Sequence, residues 1–331
     1  RVVSEEKAGA AVIRYLLMIL VVLWCGGAGA APFDLIVCGS GGQEEYQRRF
    51  ADWGQRLRTA LVERMHHPSE NVHLLTESAS TALSSRENVA AALDLIGRRL
   101  EAEDPLFVFL IGHGSYRDGV AKLNLPGLDL SAGDLDSMLQ ERVSERIVVV
   151  NAASASAPFI NLLSAPGRVI CTSTRSAEER NATWFAEGLL RAIEEGSADQ
   201  NRDERISVLE ACQQGAALTR ARYDEKRLIT TEHALIDDDG DELGSRLPLD
   251  EQSTDGALAA KIYLRDFRFP PGLSPRLIAD YRAALDRVEA FIDRKGKMEQ
   301  DEYYQHLEDL LVQVARLNRE IRGGGDGDYG E

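Results

Sequence analysis

Two short stretches of this chain could together place a general base beside a nucleophile. Ile111-Gly112-His113-Gly114 sets an imidazole between two glycines at the end of the apolar run PLFVFLIG. Asn151-Ala152-Ala153-Ser154-Ala155-Ser156-Ala157 follows a second apolar run, RIVVV. An imidazole within hydrogen-bond reach of a hydroxyl can take its proton and activate it. A serine needs more help than a thiol. Its pKa is far higher, so it wants an aligned base, a group that orients the base, and an oxyanion hole.

Two acidic stretches could bind a cation. The segment from Asp199 to Glu210 follows the twelve-residue calcium-loop template. Asp199, Asn201, Asp203, Ser207 and Glu210 stand at positions 1, 3, 5, 9 and 12, and Arg205 can offer its carbonyl at position 7. The template wants glycine at position 6 for a sharp turn, and Glu204 is there. Arg202 and Arg205 also lower the local negative charge. The competing reading is a solvated loop in which Ser207 caps the next helix and Glu210 completes a capping box. Asp237-Asp238-Asp239-Gly240-Asp241 is a second oxygen-rich turn, read first as solvated and second as a calcium site alone or beside the first loop.

The elements that must position these residues alternate. FDLIVCG, NVHLL, PLFVFLIG, RIVVVNA and RVICTST are short continuous apolar runs, and helical patterns separate them. Strands apolar on both sides belong to a parallel sheet covered by helices on both faces. In such a sheet, ligands bind beyond the C-terminal ends of the strands, where both His113 and Ser154 fall. Helices are expected over about 44–65, after a serine cap in SSREN, over SAGDLDSMLQERV, and near 184–193, 207–223 and 255–264. SYRDGVAKLNLPGLDL reads as a hairpin or loop excursion, and 235–255 as loop.

The order strand-His-Gly, then strand-Ala-Cys-x-Ser-Gly, is that of the legumain and caspase peptidases. This chain resembles that family, in the manner of a bacterial C13 relative, over 33–264. His113-Gly114 matches the histidine motif. Ala153 to Ala157 matches the second motif with Ser154 in the cysteine position; a shift of one residue puts Ala153 there instead. RSAEERNATWF and TEHALIDDDGD carry further likeness. The resemblance implies a caspase-like three-layer α/β sandwich with a mainly parallel sheet over 33–265, and a site formed by His113 and Ser154 with Gly112, Gly114, Asn151, Ala153 and Ser156 around them. It also implies a degenerate nucleophile. The leading expectation is therefore a pseudopeptidase that binds a peptide or protein partner. An active hydrolase using Ser154 and His113 and a calcium-stabilised structural module are the alternatives. No cofactor is required; calcium is the one candidate ion.

Beyond 265 the pattern changes. Amphipathic stripes run through Leu277, Tyr281, Leu285, Val288 and Ile292, then Tyr303, Leu307, Leu310, Val314, Leu317 and Ile321. They predict an α-helical hairpin or short coiled coil over 274–322, packed on its own domain or forming a homo-oligomer. The tail 323–331 reads as disordered. At the other end, Lys7 and Arg14 precede the run Tyr15 to Trp24, and Ala28-Gly29-Ala30 fits a signal cleavage pattern. Residues 1–30 thus predict a signal peptide and a secreted or periplasmic protein, free of the membrane after cleavage. An uncleaved anchor is the alternative, and a lipoprotein signal at Cys25 is disfavoured by Trp24. The chain opens on Arg1 and not Met, so its start is expected further upstream. Past the signal, Cys38, Cys171 and Cys212 are an odd number and read as buried thiols. Asn181-Ala182-Thr183 matches a glycosylation sequon. With 38 basic against 54 acidic residues the formal charge is -16, which repels phosphate backbones and excludes a nucleic-acid partner.

Overall fold

The structure, a computed structural model, describes residues 30–78, 82–250, 252–267, 269, 272–292, 294–295 and 297–323. The expected signal peptide and terminal tail lie outside the described residues, save for Ala30 and Gly323. The chain divides into two compact units between Asp266 and Phe267.

The first unit is the expected caspase-like α/β sandwich. Six strands run parallel: β1 (Phe33–Cys38), β2 (Val72–Thr76), β3 (Ala82–Leu83), β4 (Leu106–Ile111), β8 (Ile147–Asn151) and β9 (Arg168–Thr172). Between β4 and β8 stand β5 (Gly114–Arg117), β6 (Val120–Leu123) and β7 (Leu130–Ser131), a small antiparallel sheet. The expected excursion is therefore a hairpin. Asp118 and Gly119 take positive φ (52° and 78°) at its tip, the turn that Asp-Gly favours because it matches strand twist. β10 (Ile206–Ser207) pairs with β13 (Tyr263–Arg265). β11 (Leu235–Asp237) and β12 (Ser245–Arg246) extend the main sheet antiparallel, giving the order β12-β11-β9-β8-β4-β1-β2-β3.

Among the described residues of this unit the α-helices are α1 (Glu44–Glu63), α2 (Arg86–Gly97), α3 (Ala132–Gln140), α4 (Ile160–Leu163), α5 (Phe185–Glu194) and α6 (Val208–Glu225). They divide between the two faces. Phe107, Phe109 and Ile111 of β4 join Trp53 and Leu57 of α1, Leu189 of α5 and Cys212 of α6 in one cluster. Leu106, Val108 and Leu110 join Leu93 of α2, Leu135 of α3 and Leu163 of α4 in the other. The period-two alternation of a strand thus feeds two cores at once, which is why β4 carries no polar residue. The serine expected to cap α2 does so: Ser85 accepts from Asn88 N–H.

Two local expectations need correction. The 235–255 segment is not all loop, because Leu235 and Ile236 find strand partners in β9. The 255–264 segment is not a helix. Gly256 takes φ 107°, and the amides of Gly256, Leu258 and Ala259 donate to the distant Asp238 carboxylate. A remote acceptor has replaced the helix's own carbonyls, and the chain leaves through turns into β13.

The second unit is the expected helical hairpin, α7 (Pro275–Ile292) and α8 (Gln300–Gly323), packed against one another. Phe291 stacks on Tyr303, with ring centres 5.3 Å apart. Tyr281, Val288, Tyr303 and Ile321 of the expected stripes are buried, whereas Ile292 is exposed. Among the described residues no helix is long and apolar enough to cross a membrane.

Candidate functional site

His113 leaves the C-terminal end of β4 and its ring meets α1. The imidazole stands edge-on to Tyr46 (4.6 Å between centres) and Phe50 (5.0 Å). It is half-buried and borders a groove of about 650 Å³ with Ser40, Gly41, Gly42, Lys122 and Asn124. Burial, and then the Arg49 guanidinium, push its pKa below the ordinary histidine value, so the ring is neutral at pH 7. A neutral ring has an acceptor nitrogen, as a general base needs. Among the described residues, however, it has no hydrogen-bond partner to orient it.

The sheet does bring the second motif beside the first. Gly114 N–H donates to Ser154 Oγ (3.1 Å), and Ser154 Oγ donates to the Gly114 carbonyl (3.3 Å). Gly114 is glycine for a steric reason, since a Cβ there would collide with the Ser154 carbonyl. The hydroxyl that could act as nucleophile is therefore spent on the backbone next to His113 and makes no bond to the ring. It is also covered, because Ser154 is 2% exposed and Ala152, Ala153, Ala155 and Ser156 are buried with it. Of the two registers, Ser154 reaches the histidine turn, and Ala153 packs into the core on the α2–α4 side.

The groups that seal this loop come from afar. Ala155, at φ 50°, donates its N–H to the Glu179 carbonyl. Thr183 Oγ1 donates to the Ala152 carbonyl (2.5 Å). Ser173 Oγ donates to the Ala153 carbonyl (2.7 Å), and Ser156 Oγ lies between Ser173 and Thr174. Asn151 Oδ1 accepts the Ala153 N–H (3.1 Å) and closes the strand end. Gly112 packs close to Gly39, where a Cβ would sit 3.2 Å from its Cα.

Sequence reasoning assigned no role to Glu179, Glu232 or His233, though they lie in the two segments whose likeness to the peptidase family it noted. Glu179 grips His233 through both its ring and its backbone N–H. The Glu232 carboxylate caps α5 from outside, accepting Trp184 N–H (2.7 Å), Phe185 N–H (3.1 Å) and the Tyr223 hydroxyl (2.9 Å). Burial pushes the Glu232 pKa up to about 7 even though these three bonds favour the charged form. With the folded value raised, the folded state holds the extra proton between about pH 4.3, the free glutamate value, and 7. Stability should therefore fall as pH rises across that window. Glu232→Gln is expected to flatten this part of a melting-temperature profile; an unchanged slope below pH 6.5 would refute the assignment.

None of the three thiols is placed to act as a nucleophile. Cys38, Cys171 and Cys212 are free and buried. Burial, opposed by a bond to Gly54, pushes the Cys38 pKa up to about 12; burial and then the neighbouring Cys212 raise that of Cys171.

In the calcium-like loop a sharp turn does fall at position 6. Glu204 makes the position-6 turn at φ 69°, and β10 supplies the short strand after it. Its ligand atoms are nonetheless engaged. Asp199 accepts from the amides of Asp203 and Glu204 and from the Arg265 guanidinium (3.3 Å). Asn201 Oδ1 takes the Asp203 N–H, and Asp203 takes the Arg205 guanidinium (3.2 Å). Ser207 and Glu210 form a capping box at α6. Guanidinium groups stand where a cation would neutralise this loop. A different acidic group, Asp237, Asp239 and Asp255, could hold a metal ion.

No family model and no curated protein matches the chain. Among solved structures, that of protein GSU0716 from Geobacter sulfurreducens aligns at 11% identity over 72% of this chain and 99% of that one, with a TM-score of 0.43.

Proposed function

We propose that this chain is an exported peptidase-fold protein of the legumain-like type whose catalytic centre has lost its nucleophile. It acts as a pseudopeptidase that takes a peptide or protein partner in the groove beside His113. One observation carries this reading: Ser154 Oγ is buried and satisfied by both backbone groups of Gly114, while the His113 ring that would activate it has no bond to it. A serine nucleophile must reach solvent and share a hydrogen bond with its base. The groove offers Lys122, Arg117 and Asp118 for polar contacts with a bound chain. No cofactor enters this reading, and calcium, where it binds, contributes stability and not chemistry. The helical hairpin of the second unit is the proposed contact for assembly into a homo-oligomer, and the segment before Ala31 the proposed export signal.

The test is labelling with a serine-reactive fluorophosphonate. The protein is expected to remain unlabelled, as is Ser154→Ala. Labelling that disappears in Ser154→Ala would establish the hydrolase alternative instead. Ser154→Cys should stay silent toward peptide substrates for the same reason, since burial denies the sulfur both access and ionisation.

A further inference from the structure

We propose that Asp237, Asp239 and Asp255 form a binding site for a divalent cation of the hard, oxygen-seeking class, which pins the turn after β11 to the segment leading into β13. One carboxylate oxygen from each of the three lies within 4.8 Å of the others. Convergence of acids alone would mean little. The telling atom is Asp237 Oδ2. Asp237 is fully buried, its Oδ1 accepts from the Ser164 hydroxyl (3.0 Å), and its Oδ2 has no hydrogen-bond partner. A buried acceptor left empty is costly, and more so when it is charged. Among the described residues, no Lys, Arg or His pairs with any of the three carboxylates.

The surroundings hold these groups in place without using them up. Asp255 accepts Asp238 N–H on one oxygen (3.0 Å) and Ser245 N–H on the other (2.9 Å), which fixes its plane and leaves a lone pair on each. Asp239 Oδ1 takes the Asp241 N–H. Gly240 makes the sharp turn at φ 85°, where a Cβ would sit 3.4 Å from Ala165 and Pro166. An all-oxygen set suits calcium, magnesium or manganese and not zinc or copper. Asp237 pairs with Ile170 at the middle of β9, and the antiparallel chain runs on to Gly240 beside Ala165 and Pro166, which precede β9, so the site lies toward the N-terminal ends of the parallel strands. His113 leaves the opposite ends. The cation therefore serves stability, and the site stands whether or not the pseudopeptidase reading holds.

The experiment is calorimetric titration of the full chain, freed of metal by chelator, with calcium, magnesium or manganese chloride, alongside thermal unfolding. One equivalent of at least one of these ions is expected to bind and raise the melting temperature by several degrees. Asp239→Asn, a change at an exposed position, should weaken binding at least tenfold, and Asp237→Asn should abolish it. In chelator, Asp237→Asn should melt no lower than the parent, because it removes an uncompensated buried charge. Asp203→Asn, in the loop closed by arginines, should bind as the parent does. Absence of binding by the parent overturns the proposal. So does binding that survives both Asp237→Asn and Asp239→Asn, or that is lost only in Asp203→Asn.

Discussion

Replacing His67 with leucine is expected to cost about 3–5 kcal/mol, the cost of leaving one partner of a buried ion pair alone. His67 Nδ1 lies 2.6 Å from Asp34 Oδ2, and Nε2 lies 2.6 Å from the Leu264 carbonyl. Both acceptors demand a proton, and a neutral ring can donate only one. An imidazolium at His67, inside the sheet's α1-side core, satisfies both acceptors at once. Burial opposes the charge, but the Asp34 carboxylate and the Leu264 carbonyl together raise its pKa above the ordinary value. His67 ties β1 to β13, and it lies 197 residues from Leu264 in the sequence. Urea unfolding should show a lower midpoint with an unchanged slope. The pH sign follows from the direction of the shift. With a raised folded value, the full contribution is present below the unfolded histidine value of about 6.5 and is lost as pH rises through the folded value. The leucine variant should lack that decline. A double variant, His67→Leu with Asp34→Leu, should recover much of the loss, since apolar replacement of both partners is often neutral. If His67→Leu alone proves neutral, the ion pair is not there.

Asp238→Ala is the second large effect, expected at about 3 kcal/mol or more. The Asp238 carboxylate accepts Gly256 N–H (2.8 Å), Leu258 N–H (2.8 Å) and Ala259 N–H (2.7 Å), and the residue is buried. Alanine would leave three amides without their acceptor, each worth about 1–3 kcal/mol where it stays buried. Measurement in chelator separates this loss from any cation bound next door. Asp238→Asn keeps an acceptor oxygen and should cost less. A midpoint for Asp238→Ala within 0.5 kcal/mol of the parent, the span of an ordinary surface change, would mean that the 255–264 segment does not depend on this latch.

That segment also shows where local reading stops. DGALAAKIYL carries helix-forming alanines, and nothing within it signals that Asp238, some 18 residues upstream, will claim its amides. The calcium-like loop is a similar case. All twelve of its positions are legible, including the misplaced Glu204, but Arg265 arrives from 66 residues away to occupy Asp199. Its capping-box reading needed only Ser207 and Glu210, three residues apart, and that pair forms as read.

For His113 and Ser154 the division is the same. Continuous apolar runs, helical stripes and the glycines around His113 are patterns within about ten residues. They determined the layered sheet and the strand ends at which both motifs emerge, and left the excursion between them as a hairpin or a loop. Which atoms then meet was a matter for tertiary structure. The Ser154 hydroxyl turns to Gly114, the His113 ring turns to Tyr46 and Phe50, and Glu179 and Thr183 close over the loop. Asp255 likewise joins Asp237 and Asp239 only through the folded chain. The physical reason is range. Periodicity records which side of an element must leave water, whereas hydrogen bonds and charges are decided by the partner that folding brings within 3 Å.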